Sequence, residues 1–278
     1  MPEITTHHGA LHSTKLHVED TGGSGRPVVL IHAWPLSGAA WAAQVPALTE
    51  AGYRVITYDR RGFGRSDKPR RGYDYDTLTE DLHTLITELA LSGATLVGHS
   101  MGGGEVARYM SRYGGARVHS VVFAAAVTPY LLKSAENPDG PLTEEQAQEY
   151  THQAETNLSG FLDEFITGFF SVDGVLKVPE GERHAARALA AEADEQAILS
   201  SMKSWATTDF RGDLPAVDVP ALILHGDSDA SVPYEGSGRR THEAISGSEA
   251  VLLHGAPHGC NITHTGEFNQ ALLDFLAK

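Results

Sequence analysis

Cysteine is almost absent: Cys260 is the single one in 278 residues, so no disulfide can form within the chain. Basic residues are scarce, with 21 Lys plus Arg against 36 Asp plus Glu and a formal net charge of −15. Such a surplus repels phosphate backbones and anionic lipid unless the basic residues cluster, and here they are scattered. Nucleic acid and membrane are therefore not expected partners. Long apolar runs are also missing. The longest, Val121 to Val127, falls far short of the roughly 20 residues that a membrane-spanning helix needs. The opening MPEITTHHGA lacks the basic start and apolar stretch of a secretory leader. The expectation is a soluble protein with the cytoplasm as its default compartment.

What is present is material for a large core, since 41% of the residues are hydrophobic. Short apolar runs rich in β-branched residues alternate with segments of helical period, the pattern of a mainly parallel sheet covered by helices. The runs are Val28–Ile31, Val55–Tyr58, Thr95–Val97, Val121–Ala125, Leu222–Leu224 and Val251–Leu253, each apolar enough for a strand buried on both faces. From Leu11 to Val18 polar and apolar residues partly alternate, which suggests an antiparallel edge. Helices are expected over Trp41–Ala51, Thr77–Leu91, Met101–Arg112, Glu235–Ile245 and about Thr263–Leu276. One interval, residues 128–212, carries no strand-like run but several amphipathic patterns with Phe161, Phe165, Phe169, Phe170, Leu199, Met202 and Trp205, and it reads as a helical cap.

Gly98-His99-Ser100-Met101-Gly102 fits G-x-S-x-G and sits between a predicted strand and a predicted helix. A chain that turns abruptly from strand to helix strains its turn residue and leaves no room for bulky neighbours, which accounts for the flanking glycines. The serine hydroxyl is then offered at the carboxyl edge of the sheet and at a helix N-terminus, where negative charge is favoured. A serine nucleophile needs a base oriented by a carboxylate. Candidates follow in His225-Gly226-Asp227-Ser228-Asp229-Ala230-Ser231-Val232-Pro233 and in Gly255-Ala256-Pro257-His258-Gly259-Cys260.

With these residues in hand, the sequence resembles the α/β-hydrolases of the bacterial arylesterase, cofactor-free haloperoxidase (perhydrolase) and γ-lactamase group. The likeness runs through His32-Ala33-Trp34-Pro35-Leu36, Tyr58 to Ser66, Gly98 to Gly103, Thr208 to Arg211, Asp227 to Pro233 and Ala256 to Gly259, and is weakest across 128–212. It implies a mostly parallel eight-stranded sheet flanked by helices, with 1–127 and 213–278 as the core and 128–212 as a cap inserted after the sixth strand. It also implies a triad of Ser100, Asp229 and His258, the acid being the aspartate two residues before Val-Pro. Asp227 is then left to bond the backbone N–H groups of its own turn. The oxyanion would be held by the N–H groups of Trp34 and Met101, and the pocket would include Trp34, Pro35, Phe161 and Trp205. Here Ala33 stands where the family commonly has glycine. Proline after Trp34 accompanies efficient use of hydrogen peroxide in that group.

The remaining histidines are given no chemistry. His7, His8, His12 and His17 form no zinc pattern, His254 lies at a strand end, His264 is a candidate for the pocket wall, and His99 is assigned to packing beside the sheet. Cys260 is read as a small buried apolar residue. Neither metal nor cofactor is expected. The reading is a serine hydrolase cleaving small carboxylic esters through an acyl-enzyme, with perhydrolase or haloperoxidase side activity. Alternatives are a lactonase or γ-lactamase using the same triad, or a small-molecule receptor of the same fold. A homo-oligomer is allowed by everything in the composition.

Overall fold

The structure is a computed structural model that describes residues 3–7 and 13–278. Its main sheet has eight strands: β1 (Glu3–His7), β2 (Ser13–Asp20), β3 (Pro27–Ile31), β4 (Arg54–Tyr58), β5 (Ala94–His99), β6 (Val118–Ala124) and, after an insertion, β9 (Ala221–Gly226) and β10 (Glu249–Leu253). Within the insertion, β7 (Ser171–Val172) and β8 (Val175–Leu176) form a small antiparallel pair. The order across the main sheet is β1-β2-β4-β3-β5-β6-β9-β10. All neighbours from β4 to β10 are parallel, and β1 and β2 add the antiparallel edge that the alternating N-terminal pattern suggests.

The helices are α1 (Gln44–Glu50), α2 (Tyr75–Glu88), α3 (Met101–Tyr113), α4 (Glu144–Thr156), α5 (Leu158–Phe169), α6 (Glu180–Ala191), α7 (Glu195–Thr207), α8 (Gly238–Ala244), α9 (Cys260–Thr263) and α10 (Thr265–Leu276). Three expected helices are more broken than their patterns suggest. A 3-10 turn at Gly38–Trp41 precedes α1, another at Tyr234–Gly236 precedes α8, and α9 is separated from α10 at His264.

Period-two packing of β3 explains its unbroken apolar run. Val29 and Ile31 enter the core cluster on one face, with α2 and α3, while Val28 and Leu30 enter the other with Trp41, Phe268 and Leu272. β10 departs from expectation. It is the edge strand, so Glu249 and Ala250 are exposed and only Leu253 is fully buried. The expected antiparallel stretch began at Leu11, which lies outside the described residues along with His8 and His12.

Residues 128–212 fold mainly as α4 to α7. The β7–β8 hairpin is the feature the helical pattern omits; its turn is Asp173-Gly174, both at positive φ, the signature of a two-residue hairpin loop. Thr143 opens α4 with a reciprocal capping box to Gln146, and the acidic residues Glu144, Glu145, Glu149 and Glu155 face solvent.

Chain direction reverses its path around β3: β4 lies on one side and β5 on the other. In a parallel sheet this switch leaves a crevice outside the carboxyl ends of the strands. The loops after β3, β5, β9 and β10 meet there.

Two glycines give opposite expectations. A Cβ on Gly98 would lie 2.4 Å from the Gly102 carbonyl oxygen, a backbone atom that cannot swing away. Gly98→Ala is expected to cost about 2 kcal/mol or more. Gly181, in α6, has open space around it, so Gly181→Ala should stabilise by about 0.5–1 kcal/mol. Urea unfolding of both variants checks the contrast.

Candidate active site

Ser100 occupies the turn between β5 and α3 at φ 56°, ψ −118°, a conformation unfavourable for any residue with a Cβ. Three backbone hydrogen bonds hold it: its N–H donates to Ala124 O at 2.8 Å, and its carbonyl accepts from Gly103 N at 3.0 Å and Val127 N at 3.2 Å. The side chain is left free to face the crevice. His258 Nε2 lies 2.9 Å from Ser100 Oγ, and His258 Nδ1 lies 2.7 Å from Asp229 Oδ2. A carboxylate can only accept, so Nδ1 carries the proton and Nε2 accepts from the serine hydroxyl.

Asp229 is almost fully buried, and its second oxygen accepts from the N–H groups of Ser231 at 2.9 Å and Val232 at 2.8 Å. Burial alone would raise its pKa. The charge of His258 and hydrogen bonds from His225 and His258 outweigh that effect and hold the carboxyl well below its usual range. Asp227 behaves differently. It is exposed and bonds Ser228 Oγ, the Gly255 N–H and His254 Nδ1. The turn N–H groups that sequence reasoning assigned to Asp227 are bound by Asp229, because only its side chain folds back over residues 231 and 232. Asp227 instead ties its loop to the one carrying His258.

His99 is buried among Trp41, Phe169 and His258, and its Nε2–H donates to the His258 carbonyl at 3.0 Å. Packing was expected there; the bond fixing the backbone of His258 was not. His225, also fully buried, donates from Nε2 to Val232 O at 2.8 Å and lies 3.3 Å from Asp229 Oδ2. Sequence reasoning gave it no role, although its place at the end of β9, four residues before Asp229, was the available signal. His264 does not reach the pocket. It sits between α9 and α10 and bonds Thr263 Oγ1.

Met101 opens α3, so its N–H has no acceptor within the helix. The Trp34 N–H likewise finds no acceptor among the described residues. These two donors belong to different elements, and Arg60 joins them. Its guanidinium donates to the His32 carbonyl at 2.8 Å, two residues before Trp34, and to Glu105 Oε1 at 2.7 Å, one helical turn after Met101. Tyr58 donates to the other Glu105 oxygen at 2.9 Å. Burial raises the pKa of Glu105, and the Arg60 charge and hydrogen bonds oppose it.

A cavity of about 320 Å³ opens onto Ser100 and His258. Trp34, Phe161 and Trp205 line it, as the sequence suggests; Pro35 does not. Pro35 follows a cis peptide bond from Trp34 and is buried in the loop behind it. Trp34 is locked by a 3.2 Å bond from Nε1 to Ile198 O and by edge contact with Phe165, ring centroids 4.8 Å apart. Phe165, Tyr150, Leu131 and the 230–233 loop are wall residues that sequence reasoning missed, since they come from separate elements with no local pattern in common. Among the described residues no group of three or more His, Cys, Asp or Glu side chains could hold a metal ion, and no helix is long and apolar enough to cross a membrane.

Comparison with known proteins places this arrangement. The α/β hydrolase fold family model matches residues 26–265, and the chain belongs to that family. It is 40% identical to a non-heme chloroperoxidase of Kitasatospora aureofaciens over the whole of both chains, and 32% identical to a bifunctional esterase/perhydrolase of Acinetobacter calcoaceticus over 99% of each. A bromoperoxidase from Bacillus anthracis superposes with a TM-score of 0.95 at 50% identity, again over the whole of both chains.

The buried histidines make stability pH-dependent. Burial, with the charge of His258, pushes His99 down to about 3; burial and Arg60 push His32 well below the ordinary range. Unfolded, each would titrate near 6.5. Between those values the unfolded chain binds protons that the folded chain excludes, so stability rises with pH and is lost as pH falls below about 6.5. Each histidine contributes on the order of 1 kcal/mol per pH unit in that window. Urea midpoints should drop clearly from pH 7 to pH 5; equal midpoints would show that both rings are protonated in the folded state.

Proposed function

We propose that the protein is a serine hydrolase that cleaves small carboxylic esters through an acyl-enzyme, with residues 128–212 acting as a cap over the core formed by 1–127 and 213–278. The observation carrying this reading is the unbroken chain Ser100 Oγ, His258, Asp229 at 2.9 and 2.7 Å beneath a mostly apolar cavity. Ser100 attacks the ester carbonyl while its proton passes to His258 Nε2. The oxyanion that forms is held by the N–H groups of Trp34 and Met101. As the tetrahedral centre collapses, His258 returns the proton to the departing alcohol. Water then attacks the acyl group, giving its proton to the same nitrogen, and Ser100 is released with the free acid. Asp229 keeps the imidazole in the Nδ1–H tautomer and stabilises its charged form. No step calls on a metal or cofactor. The relative named a bifunctional esterase/perhydrolase supports the ester reading, and a lactone or γ-lactam would be opened by the same steps.

A second reading accompanies the first. Pro35 directly follows Trp34, and the Trp34 carbonyl accepts no hydrogen bond among the described residues. That oxygen is available to accept from hydrogen peroxide, which then replaces water on the acyl-enzyme and leaves as a peracid. The bifunctional esterase/perhydrolase among its relatives supports this partition.

Ser100→Ala and His258→Ala are each expected to lower kcat on a short aryl ester by roughly 10⁴-fold or more, with the double variant hardly worse, because the two act as a unit. Full turnover by purified Ser100→Ala would refute the mechanism. Asp229→Asn should cost orders of magnitude in kcat, whereas Asp227→Asn should act mainly on stability; the reverse result would exchange their roles. A parallel panel of esters, lactones and γ-lactams compares the substrate classes.

Pro35→Leu frees the backbone at the Trp34 carbonyl. It is expected to lower the ratio of peracid to free acid severalfold while ester hydrolysis stays within about tenfold, a change of roughly 1.4 kcal/mol in barrier. Measuring both products in one mixture with peroxide decides, since an unchanged ratio makes Pro35 a turn residue only.

A further inference from the structure

A second cavity, of about 620 Å³, lies between α4 and α7 on the far side of a thin partition. Leu142, Tyr150 and Trp205 line both cavities, so the wall between them is one side chain thick. Beyond it Ala147, Leu199 and Met202 give an apolar strip beside polar Thr151, Gln196 and Ser200, while the exposed charged residues Glu144, Glu155 and Lys203 complete the lining.

The partition is held by ring contacts, Tyr150 against Phe161 and Trp205 against Trp34, and not by hydrogen bonds. Tyr150 is 37% exposed, one of two large apolar side chains exposed among the described residues, and its hydroxyl has no hydrogen-bond partner there. The helix that carries it, α4, buries only Ala154. Trp205 is buried, yet its indole N–H has no acceptor, in contrast to Trp34, whose N–H is anchored to Ile198. A ring that loses no hydrogen bond when it turns moves at lower cost than one that does.

We propose that this chamber is a second substrate subsite, which receives the apolar arm of an elongated ester passing between Tyr150 and Trp205 while the ester group stays at Ser100. The proposal rests on the serine esterase reading above and adds the substrate class: esters with one long unbranched alkyl or arylalkyl arm. With its charged residues exposed, the chamber favours hydrocarbon along its apolar strip and a polar end, if the arm has one, outside. Each methylene that enters it is expected to raise kcat/KM by up to roughly fourfold, the equivalent of ~0.8 kcal/mol per buried methylene.

The test uses the whole protein and two ester series, alkyl acetates and ethyl alkanoates, from two to eight carbons. In the wild type, kcat/KM in one series should climb beyond four carbons. Ala147→Trp and Leu199→Trp fill the chamber from opposite helices at half-buried positions away from the catalytic cavity. Each should flatten that climb, lowering kcat/KM for the eight-carbon ester tenfold or more while turnover of ethyl acetate stays within about twofold. Inhibition of the wild type by n-alkylboronic acids gives a readout that does not depend on either variant folding, and Ki should fall as the alkyl chain lengthens from methyl to hexyl. Chain-length profiles that are flat in the wild type, or that survive both substitutions unchanged, overturn the subsite. Those results leave ethyl acetate turnover intact, whereas failure of the esterase reading abolishes it for every ester.

Discussion

The whole arrangement depends on a single residue held where its own side chain makes the backbone uncomfortable. Ser100 sits at φ 56° because the chain must leave β5 and enter α3 within one residue. That reversal brings the helix so close to the sheet that a Cβ on Gly102 would meet the Ile31 carbonyl at 2.6 Å. The strain is offset by hydrogen bonds, one given by the Ser100 N–H to Ala124 O on β6 and two received by its carbonyl from Gly103 and Val127. Strain of this kind persists only when the surroundings over-determine it. Here the surroundings are the two central strands and a helix whose inner face is built from Gly102, Gly103 and Gly104.

A buried polar layer extends that rigidity sideways. Arg60 and Glu105 would be costly alone in an interior, since each carries a charge out of water. Together, with bonds to Tyr58 and the His32 carbonyl, they join the loop after β3 to α3 one turn beyond Met101. The N–H groups of Trp34 and Met101, proposed to hold the oxyanion, thus belong to elements tied together by this buried layer. Two histidines serve the same end: His99 holds the backbone of His258, and His225 holds the loop that follows Asp229. The two residues proposed as acid and base are each held from behind by a ring outside the proposed triad.

What could be read in the sequence is what local chemistry specifies. The strand–turn–helix around Ser100 was legible because its glycines have one steric purpose, and β3 to β6 because strands buried on both faces are apolar throughout. Chain order pointed to an aspartate in the loop after β9 and to His258 after β10, while the preference for Asp229 over Asp227 came from the family resemblance, since both stand in the same short loop. Assembly of the cavity was not, since Leu131, Tyr150, Phe165 and Val232 come from elements far apart in the chain and meet only through packing. The same holds for Asp227, whose partners Gly255 and His254 lie on the next loop. The resemblance implies Pro35 on the wall as well, but it is buried in its loop and is not among the residues lining the cavity. β10 looked like an interior strand because its last residues are apolar, and only the sheet order reveals it as an edge.

Sulfur is placed with equal economy. Cys260 is wholly buried at the start of α9, and burial pushes its thiol pKa up, away from the reactive thiolate. Met101, Met110 and Met202 are buried as well. Among the described residues Met202 alone of these sulfurs lines a cavity, the chamber between α4 and α7, while Cys260, Met101 and Met110 line neither cavity. Peroxide reaches those three only when the fold around them opens, whereas Met202 lies along a path open to small molecules.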